Sequence, residues 1–380
     1  MPPRRRRLLI VGAFPSRGQN IHGGVVTSCR ALLSSPLPEK LDLVLVDSTA
    51  RSVPPPSAMR RMLYAFPRSI DFFLKFHRSK PDAVLVFASP GMSLVEKALF
   101  CAYARVWGAP TLLFLRGGQT IDEARRSRLV AFVVRWLLKM GSVLPCQGLA
   151  WHRFFVVDMK FDPLRCPLIP NWTATDALLR VGRARVARHF PTTEGVITTI
   201  FVGWVDESKG VYDLIRAHAE VCRRQPTLNL RLSIAGEGRC SAAARQLAFE
   251  LSVSDSVEFM GWVKGDSLVR ALENASIFCL PSYKEGLPNA LIEAMAAALP
   301  VVVTPVGNIP DAVQTERQGL VVPPRDVSAL AAAIERLALS AALRDTLGKC
   351  AFETARDHFS APSVAIKLDR IMHELVPNVA

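Results

Sequence analysis

The sequence predicts an α/β protein made of two tandem units, each a parallel β-sheet covered by helices on both faces. Short apolar runs of strand length alternate with stretches of helical periodicity, and this alternation occurs twice along the chain. Within each short run successive residues are apolar, which is typical of parallel strands buried on both faces. With 380 residues and 50% hydrophobic composition, the chain is long enough to form two cores.

The first unit is predicted to contain four strands and four helices. The strands are expected at residues 8–13, 41–46, 83–87 and 111–115. The helices are expected at residues 25–33, 69–76, 93–107 and 121–139. Ligands of open parallel sheets bind beyond the carboxyl ends of the strands, so functional residues are expected in the loops that follow the strands.

The second unit repeats this pattern with five strands and five helices. The strands are expected at residues 196–203, 228–235, 257–260, 276–280 and 300–304, and the helices at 211–224, 241–252, 266–274, 288–298 and 328–337. The polar stretch at 168–175 is expected to separate the units, giving an N-terminal domain of residues 1–170 and a C-terminal domain of residues 171–362. A final helix is expected near residues 363–375, after a break at Pro362.

The chain is strongly basic, with a formal net charge of +14 and a sequence pI of about 9.8. Such a chain is attracted to anions, and nucleic acid, an anionic membrane face and diphosphate substrates all qualify. Its cations are spread along the sequence, apart from the run at 4–7. This run is either a contact for acidic lipid headgroups or a solvated segment ahead of the first strand.

Cysteine spacing and hydropathy exclude several classes of protein. The eight cysteines include no C-x-x-C pair, so a zinc or redox motif is not supported, and we expect small buried side chains in a reducing cytoplasm. The apolar run at 8–14 is short and is followed by Pro15, which indicates a buried strand rather than a signal peptide. No segment has about 18 uninterrupted apolar residues, so no transmembrane helix is expected. The stretch at 129–140 is either an amphipathic helix at a membrane surface or a helix packed on the core.

The strongest functional signal is the segment at 281–296, PSYKEGLPNALIEAMA, which follows a predicted buried strand. Pro288 suits the first turn of a helix, where its missing N–H has no consequence. The helix N-terminus offers free amides and a partial positive charge, which together form a phosphate site.

Acidic and amide side chains flank this predicted phosphate site. Glu285 lies in the loop before the helix, while Asn289 and Glu293 share one helix face. Gly286 allows a ligand to approach the backbone closely. Because a carboxylate accepts two hydrogen bonds from vicinal hydroxyls of a sugar or ribose, the arrangement suits a sugar nucleotide. The alternative is an amphipathic helix with two exposed glutamates.

A second signal is the segment at 201–214, FVGWVDESKGVYDL, which combines a strand, a loop and the start of a helix. Lys209 stands just before the helix, where its ammonium can reach a diphosphate and neutralise the charge of a leaving group. The alternative is a solvated loop lysine.

These motifs resemble the retaining glycosyltransferases of family 4, a large group with the GT-B fold, in which two Rossmann-like domains face each other across a cleft. The resemblance covers about residues 168–340. It rests on ordered segments at similar spacing, namely residues 169–171, 202–203 with 209–210, 235–238, 259–263, 285–293, 304–307 and 319–321. By the same resemblance, a C-terminal helix at about 363–380 packs back on the first domain.

The resemblance also implies roles for individual residues. Glu285 would hold hydroxyls of the donor sugar, Glu293 would hold the ribose, and Lys209 would stabilise the departing nucleoside diphosphate. Lys209, Glu285 and Arg116 are the expected catalytic residues. The other expected donor-binding residues are Gly23, Gly24, Gly203, Gly236, Glu237, Val263, Gly286, Leu287, Pro288, Asn289 and Glu293. No metal or other cofactor is expected, in agreement with the lack of an Asp-x-Asp triplet.

The sequence departs from the family pattern at two positions. Trp204 follows Gly203, where the family usually has an arginine. Arg116 occupies a place where many members have a histidine, and it either supplies the missing cation or forms a structural ion pair. The segment at 20–25 resembles the family's glycine loop, although a plain tight turn is equally consistent with it, and His22 there is either a loop histidine or a base.

The function expected from these features is transfer of a sugar, with retained anomeric configuration, from a nucleoside diphosphate sugar to a hydroxyl of a glycan acceptor. The acceptor is expected to be lipid-linked, in polysaccharide or glycoconjugate synthesis, and the protein to be cytoplasmic with peripheral contact to an anionic membrane. Nucleic acid is not an expected partner, because no RRM, KH, helix-turn-helix or zinc pattern accompanies the charge. The alternatives are a basic nucleic-acid-binding protein, a GT-B epimerase of sugar nucleotides and a non-enzymatic sugar-nucleotide binder.

Overall fold

The chain forms two compact units, which we describe from a computed structural model of residues 4–15, 24–49, 58–116, 119–187 and 195–376. Unit 1 comprises Met1–Thr173 together with Ala361–Ala380, and unit 2 comprises Ala174–Ser360. The chain thus passes from unit 1 to unit 2 after Thr173 and returns after Ser360.

Unit 1 contains a four-stranded parallel sheet with the strand order β2-β1-β3-β4. The elements in chain order are β1 (Arg7–Gly12), α1 (Gly24–Leu33), α2 (Leu37–Lys40), β2 (Asp42–Asp47), α3 (Ala58–Ser79), β3 (Ala83–Ala88), α4 (Met92–Val106), β4 (Thr111–Leu115), α5 (Gln119–Arg126), α6 (Arg128–Leu138) and α7 (Leu149–Arg153). All four predicted strands are present, each within one residue of its expected bounds.

Two predicted helices of unit 1 differ from the structure. The helix expected at 121–139 is in fact two helices, because Ser127 ends α5 and caps α6 by accepting a hydrogen bond from the Val130 amide. The helix expected at 69–76 is the second half of the longer α3, which continues through Pro67.

The core of unit 1 lies on both faces of its sheet. Alternate strand residues such as Leu9 and Val84 pack against α3, α4 and α6 on one face. Leu8 and Leu85 point to the other face, where α1 and the last helix of the chain pack. This arrangement explains why the strands are apolar at successive positions.

Unit 2 contains a six-stranded parallel sheet with the strand order β10-β9-β8-β5-β6-β7. The elements are α8 (Asp176–Ala187), β5 (Ile197–Val202), α9 (Val211–Arg224), β6 (Leu230–Ala235), α10 (Ser241–Glu250), β7 (Val257–Gly261), α11 (Asp266–Asn274), β8 (Ile277–Leu280), α12 (Asn289–Ala296), β9 (Val301–Val303), β10 (Gly319–Val321), α13 (Val327–Leu339) and α14 (Ala341–His358). The last helix, α15 (Ala361–Leu375), belongs to unit 1. The sequence did not predict β10, α8 or α14.

The predicted fold class, α/β with two parallel sheets, is confirmed. In the described parts of both units, no helix is long and apolar enough to cross a membrane.

Candidate functional site

The candidate site residues of unit 2 lie at the carboxyl ends of four adjacent strands. These strands are β8, β5, β6 and β7, which are neighbours in that order and run parallel. The residues that follow them are Glu285 after β8, Gly203 and Lys209 after β5, Gly236 and Glu237 after β6, and Val263 after β7. Because the carboxyl ends of parallel strands meet at one edge of a sheet, residues distant in sequence are brought to the same edge.

An ion pair joins two of the predicted catalytic residues. Lys209 Nζ lies 2.7 Å from Glu285 Oε1, and the Glu285 side chain is only 9% exposed. The Ser282 hydroxyl donates to the same carboxylate oxygen at 2.8 Å. Among the described residues no donor reaches Glu285 Oε2, so this oxygen can accept hydrogen bonds from a ligand.

The loops that hold this ion pair pack closely against each other. Gly210 has a φ of +68°, and a Cβ added there would lie 2.2 Å from the Pro281 carbonyl oxygen. The Tyr283 amide donates to the Ser208 carbonyl at 2.8 Å. Glycine at 210 therefore allows the contact that brings Lys209 to Glu285.

The loop after β9 supports Glu285 from the other side. Gly307 has a φ of +62°, and a Cβ there would lie 2.3 Å from the Glu285 carbonyl oxygen. The Asn308 amide donates to the Gly286 carbonyl at 2.8 Å, and the Thr304 hydroxyl donates to the Ser282 carbonyl at 2.5 Å. The backbone that presents the Glu285 carboxylate is thus fixed by two neighbouring loops.

Helix α12 begins directly after this turn. Pro288, predicted in the first turn, instead occupies the cap position, and Asn289 is the first helical residue. No side chain caps the helix. The first amides of a helix have no acceptor within it, so the start of α12 places hydrogen-bond donors and a partial positive charge beside Glu285.

Glu293 lies one turn further along α12 and is buried. Its residue exposure is 8%, and burial raises the pKa of its carboxyl group to about 7. No described residue forms a hydrogen bond or ion pair with this carboxyl group. The sequence predicts that Glu293 projects from the second turn of the helix, just beyond the anion site; its side chain is largely buried on α12, and its role toward a ligand stays a prediction.

The loops after β5 and β6 also interlock. A Cβ added to Gly236 would lie 1.7 Å from the Gly203 carbonyl oxygen, and one added to Gly238 would lie 2.3 Å from the Val205 carbonyl oxygen. The Val205 amide donates to the Glu237 carbonyl at 3.1 Å. Glycine is therefore required at both 236 and 238 by backbone contacts within unit 2.

Two tryptophans form an exposed aromatic pair near these loops. Trp204 follows β5 and Trp262 follows β7, and their ring centroids are 4.7 Å apart with an angle of 82° between the planes. The residues are 47% and 43% exposed. Trp204, which replaces the arginine usual in the resembling family, thus contributes an aromatic surface rather than a cation.

The structure adds residues that sequence analysis did not single out. The Tyr283 hydroxyl donates to Asp213 Oδ2 at 2.6 Å, and the Arg325 guanidinium lies 4.1 Å from the centre of the Tyr283 ring. Burial, together with the bond to Asp213, raises the pKa of Tyr283 to about 12. Tyr283 and Asp213 lie within the two strongest motifs, but their contact depends on the adjacency of β5 and β8.

Arg116 lies in unit 1, directly after β4, and is 5% exposed. Its Nη2 donates to the Ser28 hydroxyl at 2.8 Å, and with the Gln147 amide suitably oriented its Nε donates to the Gln147 carbonyl oxygen at 2.9 Å. Its guanidinium also lies 5.0 Å from the centre of the Phe114 ring. Burial lowers its pKa to about 10, so the group stays charged at neutral pH. Within the described residues it forms no ion pair.

Other candidates in unit 1 lie partly outside the described residues. Gly24 is the first residue of α1. Gly23, His22 and the segment at 117–118 lie outside the described residues. Across the described parts of the chain, no group of three or more His, Cys, Asp and Glu residues could hold a metal ion.

Comparison with known proteins identifies the family. Residues 197–340 match the family described as glycosyl transferases group 1. A D-inositol 3-phosphate glycosyltransferase of Pseudarthrobacter chlorophenolicus is 30% identical over 300 residues, which cover 73% of this chain and 70% of the relative. The chain belongs to the group 1 glycosyltransferases.

Other relatives of this group 1 glycosyltransferase match over a shorter segment. A D-inositol 3-phosphate glycosyltransferase of Kribbella flavida is 34% identical over 181 residues, which cover 46% of this chain and 43% of the relative. An uncharacterized glycosyltransferase of Methanocaldococcus jannaschii is 31% identical over 166 residues, which cover 44% of this chain and 42% of the relative. The chain thus matches less than half the length of these two relatives.

Solved structures support the predicted GT-B fold over the full length of the chain. A sucrose-phosphate synthase of Thermosynechococcus elongatus has a TM-score of 0.72 at 19% identity, covering 98% of this chain and 99% of that one. The Anabaena protein HepE in complex with UDP has a TM-score of 0.70 at 15% identity, and the match covers 97% of this chain and 100% of HepE. At these identities the likeness concerns the fold, which is GT-B with two Rossmann-like domains.

Proposed function

We propose that this group 1 glycosyltransferase is a retaining, metal-independent member of family 4 that uses a nucleoside diphosphate sugar as its donor. The main support is the Lys209–Glu285 ion pair beside the start of α12. A cation, a helix N-terminus and a carboxylate at one sheet edge match the diphosphate and the sugar hydroxyls of such a donor.

Each part of the donor has a matching group in unit 2. The diphosphate would lie against the backbone amides of Gly286, Leu287 and Asn289 and the Lys209 ammonium. Glu285 Oε2 would accept hydrogen bonds from sugar hydroxyls, and Glu293 from the ribose. Gly203, Gly236, Glu237 and Val263, on neighbouring loops, would line the nucleoside.

The proposed reaction breaks the bond between the sugar C1 and the diphosphate oxygen and forms a bond from C1 to the acceptor oxygen. Negative charge develops on the diphosphate as its bond breaks, and Lys209 and the α12 dipole stabilise that charge. The transition state is oxocarbenium-like. In a front-face route the leaving phosphate receives the acceptor proton, so retention requires no enzyme nucleophile.

The acceptor is proposed to be a hydroxyl of a glycan, carried on a lipid, in polysaccharide or glycoconjugate synthesis at the inner face of the cytoplasmic membrane. The strong positive charge supports an anionic surface as a partner. The relatives from P. chlorophenolicus and K. flavida are both named for D-inositol 3-phosphate, a phosphorylated polyol that is also anionic.

A thermal-shift panel of UDP-, GDP- and ADP-sugars tests donor binding. The correct donor at about 100 times its Kd should stabilise the protein by about 2.7 kcal/mol. No shift with any of the three at millimolar concentration would reject the proposed function.

Transfer assays with the identified donor test the role of Lys209. Lys209→Ala should lower kcat by about 100- to 1,000-fold, because a charge contact made in the transition state is lost. Lys349→Ala, an exposed lysine on α14, is the matched control and should keep full activity. Equal activity of the two variants would contradict the role of Lys209, and an epimerised donor without transfer would indicate an epimerase.

A further inference from the structure

Half of the exposed large hydrophobic side chains of the described residues lie on one part of unit 1. Of 24 such side chains, 12 lie on α3, on α4 and the residue after it, and on α6. They are Phe66, Ile70, Phe73, Leu74, Met92, Leu99, Val106, Trp107, Leu129, Phe132, Val133 and Trp136. A monomeric protein seldom exposes so many apolar side chains together without a partner for them.

Helix α6 is apolar on opposite sides. Val134, Leu137 and Leu138 are buried in the unit 1 core. Phe132 and Trp136, four residues apart, are 68% and 55% exposed. Residues three or four apart lie on one face of a helix, so α6 packs on the core and also presents an apolar outer face.

Helix α3 has the same two-sided character. Phe72 and Phe76 are buried in the core cluster that also receives α6. Phe66, Ile70 and Phe73, spaced by four and three residues, are 71%, 44% and 36% exposed. A second helix of unit 1 therefore turns an aromatic stripe outward.

The outer faces of α3, α4 and α6 are continuous. The Phe73 ring lies 4.6 Å from the Tyr103 ring of α4, and the His77 ring lies 4.9 Å from the Trp107 ring. On the other side of α4, Arg105 Nη1 donates to the Lys139 carbonyl oxygen at 2.8 Å. The 12 exposed side chains thus belong to one layer of three adjacent helices, which we call the apolar face.

Positive charge surrounds the apolar face. Exposed cations stand at both ends of α6, and Arg78 and Arg105 are exposed in the last turns of α3 and α4. The residues from 128 to 140 include Arg128, Arg135 and Lys139 and no acid. The two acids of α3 and α4, at 71 and 96, are both paired with cations.

The positive charge of the protein is also concentrated in unit 1, the unit that carries the apolar face. Unit 1 has 27 Lys and Arg against 12 Asp and Glu, a net charge of +15, whereas unit 2 has 20 against 21, a net charge of −1. The excess of cations is therefore concentrated in unit 1, although the cations are scattered along the linear sequence. An anionic partner of this protein is attracted to unit 1.

We propose that the apolar face is a docking surface for an anionic lipid bilayer. Tryptophan and phenylalanine side chains suit the boundary between headgroups and acyl chains, and the flanking Arg and Lys suit anionic headgroups. A second copy of the chain is a poor occupant, since its own cations would face those of the first. The proposal deepens the membrane contact of the proposed function, but docking does not depend on transfer.

Vesicle flotation of the full chain tests the proposal. We expect binding to vesicles of phosphatidylcholine with 30% phosphatidylglycerol, about tenfold weaker binding to phosphatidylcholine alone, and loss of binding at high salt. The double variant Phe132→Asp, Trp136→Asp should reduce binding at least about tenfold, because an acid at the interface opposes both insertion and headgroup attraction. Arg135→Glu with Lys139→Glu should do the same through charge alone.

The matched control is Phe249→Asp, since Phe249 is 71% exposed on α10 of unit 2. It should bind vesicles like the wild type. Equal binding by the wild type and the α6 variants, or no binding by any of them, would overturn the proposal. The proposal would also be overturned if light scattering showed a concentration-dependent dimer that the α6 variants abolish. The apolar face would then join two copies of the chain.

Two further measurements separate the possible failures. Circular dichroism melting curves check that each variant is folded. The thermal shift with the nucleotide sugar should be unchanged in the α6 variants, as no residue of α6 is among the expected donor-binding or catalytic residues. A protein that binds vesicles without binding a nucleotide sugar would retain the docking proposal and lose the proposed function.

Discussion

At the residue scale, Glu293 is the acid of the candidate site whose titration is most changed by the fold. Burial raises its pKa to about 7, above the ordinary value of 4.5. Between these two values the folded protein holds a proton that the unfolded chain has released. Protonation of Glu293 therefore stabilises the folded state fully below pH 4.5. This contribution to the free energy of unfolding is lost as the pH rises from 4.5 through 7.

Replacement of Glu293 by Gln should remove this pH dependence. At pH 4.5 the variant and the wild type should have similar free energies of unfolding, because both side chains are neutral. At pH 8 the variant should be more stable by about 3 kcal/mol, since one pKa unit corresponds to about 1.4 kcal/mol. Urea unfolding of both proteins from pH 4.5 to 8 measures the difference, and a difference independent of pH would contradict the raised pKa.

The same carboxyl group should release a proton when a donor binds. Hydrogen bonds from ribose hydroxyls favour the charged carboxylate and so lower its pKa. At pH 7 binding should release up to about half a proton, so the calorimetric enthalpy should differ between phosphate and Tris buffers. The Glu293→Gln variant is the control, and it should show no such buffer dependence. An equal dependence in both proteins would assign the proton to another group.

Residue types could be predicted from the sequence, but their contacts could not. Lys209 and Glu285 stand out because each lies in a loop between a strand and a helix. Their ion pair spans 76 positions in sequence and depends on β5 and β8 being neighbours. Helical periodicity places Glu293 and Asn289 on one face, but it does not reveal which other elements cover α12.

At the element scale, two unpredicted helices explain the burial of α12. Helices α8 and α14 both pack against it. A Cβ added to Gly182 of α8 would lie 2.2 Å from the Ala296 carbonyl oxygen, and one added to Gly348 of α14 would lie 2.4 Å from the Ala298 carbonyl oxygen. Where small residues make the contact, the hydrophobic periodicity of a helix is weak, so α8 and α14 were not predicted, whereas the strands with continuous apolar runs were.

The contact between the loops after β5 and β8 can be tested at Gly210. Alanine there would adopt an unfavourable φ and would place its Cβ 2.2 Å from the Pro281 carbonyl oxygen. Gly265→Ala is the control, because Gly265 also has a positive φ, +52°, but no atom lies within 4 Å of an added Cβ. The control should lose about 1–2 kcal/mol from the backbone conformation alone.

Gly210→Ala should lose at least about 2 kcal/mol more than the control, as well as most of its donor affinity, because the clash separates the two loops. Urea unfolding gives the stability, and titration with the nucleotide sugar gives the affinity. Equal losses of stability in the two variants would show that the loops can separate at no cost, and would weaken the argument that they hold Lys209 against Glu285.

At the scale of the whole molecule, the two units differ in charge and in the residues they contribute. Each has its own hydrophobic core, unit 2 around its six-stranded sheet and unit 1 on both faces of its four-stranded sheet. The apolar face and the net charge of +15 belong to unit 1, and the Lys209–Glu285 pair belongs to unit 2. Binding of the donor and binding of an anionic surface are thus expected to stabilise different parts of the chain.

Hydrogen exchange of the full chain with and without the nucleotide sugar tests this division. A ligand that binds the folded state at about 100 times its Kd adds about 2.7 kcal/mol, which slows exchange through complete unfolding of the bound unit by about 100-fold. We expect this slowing in peptides from β5, β6 and β8, and a smaller effect in β1 and β3. With anionic vesicles instead of the donor, peptides from α3 and α6 should be protected and those from β8 should not. Equal slowing of both sheets by the nucleotide sugar would mean that the two units unfold as one body.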